Sequence, residues 1–283
     1  GGFQMKTIYL DNNATTKVAD EVLEAMLPYF TELYGNPSSM HTFGGQVGQR
    51  IRDAREQVAA LLGALPDEIV FTSCGTESDN AALRSALLTK PDKKHIVISR
   101  VEHPAIRALC SHLGAQGYKI TELPVNKNGI LDLENLEKSL TPDTAIVSLM
   151  WANNETGVIF PVEEAARMAH DKGILFHTDA VQAAGKIPIN MKNNRIDMLS
   201  ISGHKLHAPK GIGVLYIRRG TKFSPFLIGG HQEKGRRGGT ENTASIIGLG
   251  KACERAAKNI NTENIRVKQL RDKLEQELLK TIS

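Results

Sequence analysis

The chain has 283 residues, of which 41% are hydrophobic and 23% are charged, values typical of a globular protein. Lysine and arginine (35) barely exceed aspartate and glutamate (31), and the basic residues are spread along the chain. This distribution argues against a nucleic-acid-binding protein, whose positive charge clusters on one face. No apolar run is long enough for a membrane span and no secretory signal is evident, so we expect no membrane association. Met5 is expected to be the native start, after four foreign residues.

Three cysteines, Cys74, Cys110 and Cys253, are widely spaced and include no C-x-x-C pair. An odd number without paired spacing argues against both a disulfide framework and a zinc site. We therefore expect three reduced thiols, no metal site and a cytoplasmic protein.

Strand and helix patterns alternate along the chain. Apolar residues at three- and four-residue steps predict five helices, over Glu21–Leu33, Gly48–Leu62, Glu77–Leu88, Pro104–Gln116 and Val162–Lys172. Short apolar runs with β-branched residues predict five buried strands, over Ile69–Thr72, His95–Ile98, Ala145–Met150, Ile174–His177 and Met198–Ile201. Gly213–Ile217 predicts one further strand, for which an antiparallel direction is open. Such alternation predicts an α/β sandwich with ligand chemistry at the carboxyl ends of the strands.

The tail differs from the rest of the chain. An amphipathic helix is predicted over Thr243–Ala257, then a break at Asn259–Thr262, then a charged helix over Glu263–Leu279 with no partner for its apolar stripe. The predicted organisation is an N-terminal segment over residues 1–15, a large domain over 16–258, and the start of a helix leading into a further unit over 259–283.

The strongest local signal for chemistry is the run Ser202-Gly203-His204-Lys205, which directly follows a predicted buried strand. Taken alone, Lys205 is more simply a surface lysine in a loop. The functional interpretation is a lysine that forms a Schiff base, because its site lowers the pKa of the amine and leaves it nucleophilic.

A second signal places Asp179 at the end of another predicted strand, with Gln182 one helical turn later. Asp179 could simply be a helix N-cap. Enzymes that use pyridoxal phosphate (PLP) need a carboxylate against the pyridine nitrogen, which keeps that nitrogen protonated and makes the ring an electron sink. Asp179 and Lys205 on neighbouring strand ends match that requirement, and Gln182 could bond the phenolic oxygen of the ring.

The run Ser73–Ser78 leads from a strand through a turn of small residues into a helix. The free N–H groups there, with Gly75 and the Thr76 hydroxyl, suit an anion. An ordinary capped helix explains the run equally well, and no Gly-Lys-Ser/Thr sequence ends it, so a nucleoside triphosphate site is not indicated.

Two further features are compatible with the same site. His103 lies at a predicted strand-to-helix junction, where a structural role is common but a proton-transfer role near pH 7 is chemically suitable. The glycine-rich basic loop over Gly229–Asn242 contains Thr240 and precedes a helix, an arrangement that suits an anion better than a nucleic acid.

Together these runs resemble the NifS-like group of cysteine desulfurases, which are fold-type I PLP enzymes related to class V aminotransferases. The resemblance extends over eight motifs in order from Met5 onward: Tyr9–Thr16, Gly35–Ser39 with His41, Thr72–Ser78, Val101–Pro104, Ala152–Gly157, His177–Ala180, Ser202–Lys205 and Arg236–Asn242. It implies the large domain of a fold-type I PLP enzyme, with a mainly parallel seven-stranded sheet between helices and most of the small C-terminal domain outside the chain.

The resemblance also implies a role for each candidate residue. Lys205 would carry PLP and His103 would stack on the ring and act as acid and base, while Asp179 and Gln182 would bond the ring. Gly75, Thr76, Ser202 and His204 would hold the phosphate, joined by Thr240 of a second subunit in a homodimer, and Gly203 would also contact the cofactor. Asn154 would touch the cofactor and the substrate carboxylate. The implied reaction takes sulfur from L-cysteine, gives L-alanine and an enzyme persulfide, and passes the sulfur to an iron–sulfur scaffold protein, which could serve nitrogenase.

In this family the nucleophilic cysteine and the arginine for the substrate carboxylate lie in a C-terminal part that has no counterpart in the 283 residues. Cys74 belongs to the motif itself, whereas Cys110 and Cys253 fall on apolar helix faces. We therefore expect the chain as printed to bind PLP but not to turn over L-cysteine.

Three alternatives stay open at this point. The chain could be another fold-type I PLP enzyme, such as a selenocysteine lyase or a class V aminotransferase, because fold alone does not fix the reaction. It could be a non-catalytic assembly subunit that keeps the PLP fold. A phosphate- or nucleotide-binding α/β domain without PLP is the third, although it leaves Lys205 unexplained.

Overall fold

A computed structural model of the chain describes residues 7–282, so Met5 and residues 1–6 of the predicted N-terminal segment lie outside the described residues. A seven-stranded sheet lies at the centre, with the spatial order β1-β7-β6-β5-β4-β2-β3. The strands are β1 (Ile69–Thr72), β2 (His95–Ser99), β3 (Lys119–Leu123), β4 (Thr144–Ser148), β5 (Leu175–Asp179), β6 (Met198–Ser202) and β7 (Gly213–Ile217). The expected α/β fold with a mainly parallel sheet is confirmed.

Strand β7 is antiparallel to both of its neighbours, β1 and β6, whereas β6, β5, β4, β2 and β3 pair in parallel. It follows that the other six strands all run in one direction and end at the same edge of the sheet. The question left open for Gly213–Ile217 is therefore settled as antiparallel.

Helices cover both faces of the sheet. They are α1 (Asp20–Met26), α2 (Pro28–Thr31), α3 (Thr42–Leu62), α4 (Gly75–Thr89), α5 (Pro104–Ala115), α6 (Leu133–Ser139), α7 (Val162–Asp171) and α8 (Thr243–Thr281). Helices α4 and α5 pack into one apolar cluster, and α3, α7 and the first part of α8 pack into the other. Burial of apolar side chains on both faces explains why the central strands are continuous apolar runs rather than alternating ones.

Two of the five predicted helices differ from their predicted bounds by more than two residues. Pro28 divides the first predicted helix into α1 and α2, because proline lacks the N–H that would continue the α1 ladder. Helix α3 begins six residues earlier than predicted, at Thr42, with the His41 ring accepting the Gly44 N–H. A Cβ on Gly44 would lie 2.4 Å from the Asn36 carbonyl oxygen, so the glycine serves a close approach.

The predicted break at Asn259–Thr262 is wrong, because α8 runs without interruption from Thr243 to Thr281. Asparagine and threonine are only moderately unfavourable inside a helix, and Asn259–Thr262 contains no glycine or proline. Past residue 258 the apolar stripe of α8 (Ile265, Leu270, Leu274, Leu278) is exposed, as its pattern predicted. Within residues 7–282, no helix is both long enough and apolar enough to cross a membrane.

Candidate functional site: a cavity at the strand ends

A cavity of about 470 Å³ opens at the edge where the six co-directional strands end. Nine of the eleven residues predicted for the site line it: Gly75, Thr76, His103, Asn154, Asp179, Gln182, Ser202, His204 and Lys205. They follow β1, β2, β4, β5 and β6, so the parallel topology alone brings together residues that are up to 130 positions apart.

Asp179 is the last residue of β5 and is 7% exposed. One of its oxygens, Oδ1, accepts the Val181 N–H at 2.9 Å, which makes the carboxyl a turn cap as well as part of the cavity wall. Burial raises the pKa of Asp179, while the positive charges of His103 and Lys205 oppose that rise. The carboxyl is therefore poised to take a proton or to face a cationic N–H group in the cavity.

Lys205 ends a short turn that follows β6. The turn depends on Gly203, because an added Cβ would lie 2.7 Å from the Ile212 side chain. Gly203 is therefore buried and packs closely against Ile212 behind the cavity wall. The Lys205 Nζ donates to the backbone carbonyls of Asn13 and, at 2.8 Å, of Ala14. Burial lowers the pKa of Lys205, and the charges of Asp11 and Asp179 partly restore it.

The N-terminal segment forms part of the cavity wall. The sequence patterns did not assign any residue of this segment to the site. Asp11, Asn13 and Ala14 line the cavity. The segment is fixed to the lysine loop because Thr16 donates from both N and Oγ1 to the His204 carbonyl, at 3.0 and 2.8 Å. The motif Tyr9–Thr16 was a signal of resemblance only, since no helix or strand pattern places it near Lys205.

The turn before α4 presents the free N–H groups of a 15-residue helix to the cavity. Cys74 caps the helix, its sulfur accepting the Glu77 N–H at 3.4 Å, and Thr76 is exposed on the cavity side. Gly213 of β7 supports the turn from behind, where an added Cβ would lie 2.7 Å from the Cys74 carbonyl carbon. Free N–H groups at the N-terminus of a helix suit an anion, which is the role that the sequence predicts for this turn.

His103 and Asn154 lie on the side of the cavity formed by β2 and β4. The Nδ1 of His103 accepts the Ala105 N–H at 3.1 Å, so a neutral His103 ring carries its proton on Nε2. Asn154 donates to the Glu155 carboxylate at 2.7 Å, and its backbone carbonyl accepts from Asn13 at 3.2 Å. Both side chains are thus held by local contacts at the mouth of the cavity.

Beneath the cavity lies a layer of buried polar residues that the sequence patterns did not single out. His177 bonds through its two ring nitrogens to Ser148 and Ser200, at 2.8 and 2.9 Å, and burial lowers its pKa to about 3. Asp79 lines the cavity, and its Oδ1 has no hydrogen-bond partner among residues 7–282. Burial and the Asp179 charge raise the pKa of Asp79, so its 3.6 Å contact with His177 joins two neutral groups rather than an ion pair.

Glu102 belongs to the same layer and is 3% exposed. Its Oε1 accepts from the Ser99 hydroxyl at 2.5 Å and from the Met150 N–H at 3.0 Å, while Oε2 has no partner among the described residues. Burial raises the pKa of Glu102 to about 8. The only signal in the sequence was a glutamate directly before His103, which carried no assigned role.

Thr240 does not line the main cavity in this chain. It is exposed and lines a separate cavity of about 180 Å³ with Arg237 and Glu241. The arginines of the Gly229–Asn242 loop are engaged within the chain: Arg237 pairs with Glu77 at 2.9 Å, and Arg236 donates to the Asp67 carbonyl at 2.8 Å. These contacts fix the loop beside β1.

The three cysteines differ in accessibility. Cys110 and Cys253 are buried, and burial raises the pKa of each to about 12. Cys74 is partly exposed and lines the cavity. Between residues 7 and 282, no three His, Cys, Asp or Glu side chains are arranged to hold a metal ion.

Comparison with known proteins agrees with this geometry. The family model described as aminotransferase class-V matches residues 8–283. The chain is 63% identical over 278 residues to a cysteine desulfurase of Trichormus azollae and 61% identical over 279 residues to the cysteine desulfurase NifS of Azotobacter vinelandii. The alignments cover 98% of this chain and 70% and 69% of those proteins, respectively.

A solved structure of a NifS-like protein superposes with a TM-score of 0.94 at 42% sequence identity. The match covers 97% of this chain and 76% of that one. Identity of this extent, together with the cavity at the strand ends, establishes that the chain belongs to the aminotransferase class V family, in the cysteine desulfurase group.

Proposed function

We propose that this chain binds PLP covalently at Lys205 and provides the cofactor-binding part of a desulfurase that acts on L-cysteine. The observation that carries the proposal is the convergence of Lys205, Asp179 and the N-terminus of α4 on one cavity. A lysine, a buried carboxylate and an anion site are the three groups that PLP requires of a protein.

The residues fit PLP in chemistry as well as in position. A Cβ on Gly75 would lie 3.1 Å from Val181 and 3.6 Å from Ser202, so the glycine leaves the mouth of the anion site open. The exposed Thr76 and the free N–H groups of α4 would hold the phosphate, with Ser202 and His204 on its other side. Asp179 lines the same cavity, and its carboxylate would accept the pyridine N–H.

Each residue then has a task in the reaction. Bound PLP supplies an electron sink for the pair left when the Cα proton of an amino acid is removed. Lys205 is the base for that proton, because burial lowers the pKa of its amine. His103 carries a proton on Nε2 at the cavity mouth, where it would move protons to and from the substrate. Asn154 would bond the substrate carboxylate.

Sulfur transfer requires a thiolate at the cavity. Cys110 and Cys253 are excluded by burial and by thiol pKa values of about 12. Cys74 is held as the cap of α4 by the Glu77 N–H. We therefore propose that residues 1–283 bind PLP without releasing sulfide or alanine. A persulfide on Cys74 after treatment with L-cysteine would contradict this proposal.

The partners belong to the proposal as well. A homodimer would place Thr240 of one subunit at the phosphate of the other, which suits its exposed position on a loop fixed by the Arg237–Glu77 pair. The sulfur would pass to an iron–sulfur scaffold protein in the cytoplasm, where free thiols such as Cys74 stay reduced.

The test is to map the lysine that carries PLP. The chain is incubated with PLP, reduced with borohydride and digested, and the modified lysine is identified by mass spectrometry. We expect modification at Lys205 and loss of the visible absorbance band in Lys205→Ala. Lys210→Ala is the matched control, because Lys210 is an exposed lysine five residues later in the same loop. Equal labelling of Lys210, or a band that survives Lys205→Ala, would contradict the proposal.

A further inference from the structure

Lys186 lies four residues after Gln182, in a segment of turns after β5, and is not among the residues that line the cavity. Its Nζ donates to Oε1 of Gln182 at 2.5 Å. The backbone around Lys186 is tightly held. Its carbonyl accepts from the Asn264 side chain of α8 at 2.8 Å. A Cβ on the preceding Gly185, which has φ +70°, would lie 2.5 Å from the Leu206 side chain.

The Gln182 amide is bonded at both ends. Nε2 donates to the Asn13 carbonyl at 3.0 Å, and Oε1 accepts from Lys186. An ammonium group can only donate and a carbonyl can only accept, so rotating the amide by 180° would set N–H against N–H and oxygen against oxygen. The two neighbours therefore fix which end of the amide is which.

This orientation matters because the amide also faces the cavity. Nε2 carries two hydrogens, and one of them is used by Asn13. Among residues 7–282 the other has no partner, and Gln182 lines the same cavity as Asp179 and Lys205. The free hydrogen is a donor available to an oxygen in the cavity.

We propose that Lys186 is a positioning residue, which fixes the Gln182 amide so that Nε2 presents this hydrogen to the phenolic oxygen of PLP. The inference rests on the proposed function for the identity of the ligand. The orientation of the amide rests only on the contacts of Lys186, Gln182 and Asn13.

The hydrogen bond from Lys186 to Gln182 depends on the surroundings of the Lys186 amine, because they set its pKa. Burial, and next the charge of Lys205, lower the pKa of Lys186 to about 8. The Gln182 oxygen is the only side-chain acceptor that Lys186 Nζ contacts among the described residues. Without the ammonium group, Oε1 loses its partner and the amide is free to turn.

The test is a double-mutant cycle on PLP binding and on the visible absorbance band. Lys186→Met is expected to weaken PLP binding about tenfold, equivalent to about 1.4 kcal/mol, and to shift the band in the direction that Gln182→Ala shifts it. In the Gln182→Ala background, Lys186→Met should have no further effect. Lys186→Arg, which keeps a cationic donor, should recover part of the loss.

Lys192→Met is the matched control, because Lys192 is an exposed lysine nearby in the chain, and urea unfolding checks that each variant is folded. An equal effect of Lys186→Met with and without Gln182, or no effect on the band, would overturn the inference.

A second measurement is independent of the cofactor. In protein labelled with ¹⁵N-glutamine, the Gln182 side-chain amide should give one sharp pair of resonances, which broadens or splits in Lys186→Met. An unchanged pair would overturn the inference even if PLP binds at Lys205. Failure of the unaltered chain to bind PLP at Lys205 would instead overturn the proposed function, and the amide resonances would still decide the orientation.

Discussion

Replacement of Glu102 by glutamine should stabilise the protein at neutral pH and flatten its pH dependence. Burial raises the pKa of this carboxyl from 4.5 to about 8. Between these two values the folded protein keeps a proton that the unfolded chain has released. Stability contributed by this site is therefore lost as the pH rises from 4.5 to 8.

The size of the effect follows from the same shift. Each pH unit within the window costs 1.36 kcal/mol, so about 3 kcal/mol of unfolding free energy is lost between pH 4.5 and pH 7. Glutamine keeps the Oε1 contacts to Ser99 and Met150 and replaces the unpartnered Oε2 by an amide nitrogen. The new N–H₂ group lacks a partner, and leaving it buried costs about 1–3 kcal/mol of unfolding free energy. This cost offsets part of the stabilisation and does not vary with pH.

The assay is urea unfolding of the unaltered protein and of Glu102→Gln at pH 5, 6, 7 and 8. We expect the difference between the two unfolding free energies to move in favour of Glu102→Gln by about 1.4 kcal/mol for each pH unit up to 8. Glu122→Gln serves as control, because Glu122 is an exposed glutamate. A difference that stays constant from pH 5 to pH 8 would refute the reasoning that Glu102 is buried in its neutral form.

Four other variants also have expected outcomes. His177→Gln should reduce the loss of stability in acid, as measured by urea unfolding. The pKa of His177 is about 3 in the folded protein, so only the unfolded chain takes up a proton at this residue just below pH 6.5. This uptake costs the unaltered protein about 2 kcal/mol of unfolding free energy at pH 5. Gly213→Ala should destabilise by about 1–3 kcal/mol and weaken PLP binding, because its Cβ would meet the backbone of Cys74 at 2.7 Å. Gly45→Ala, with no atom within 4 Å of the new Cβ, should instead stabilise α3 by about 0.5–1 kcal/mol, and the opposite sign would count against the packing argument. Cys74→Ala should leave PLP binding within about twofold, since the Thr76 hydroxyl and the α4 N–H groups remain, and a larger loss in a PLP titration would give Cys74 a direct role.

The buried strands were predictable because each is a short apolar run with packing on both faces. Strand β7 was predicted with its observed bounds, Gly213–Ile217. Strand β3 was missed: Lys119–Leu123 lies at the edge of the sheet and buries only Leu123, so its sequence lacks a continuous apolar run. Edge strands of this kind carry a weak sequence signal.

The same contrast holds for the site. Lys205 and Asp179 could be predicted because each follows a recognisable strand, and parallel strands end at one edge. Asn13 and Asp79 could not, since they reach the cavity through the path of the N-terminal segment and through the rotation of α4. Polar residues in such places look like ordinary surface or capping residues until the tertiary contacts are known.

The position of β7 has a consequence for how the protein is made. Strand β1 lies at the edge of the sheet beside β7, and its Ile69 pairs with Tyr216, about 150 positions later in the chain. The turn that precedes α4 is therefore anchored only after β7 has been synthesised. Contacts across such a separation close slowly, so we expect the turn before α4 to be the last part of the cavity wall to become ordered during folding. Until that pairing forms, we expect chains that are folded around β2, β4 and β5 but still open at β1, and these are the chains that a protease would reach first.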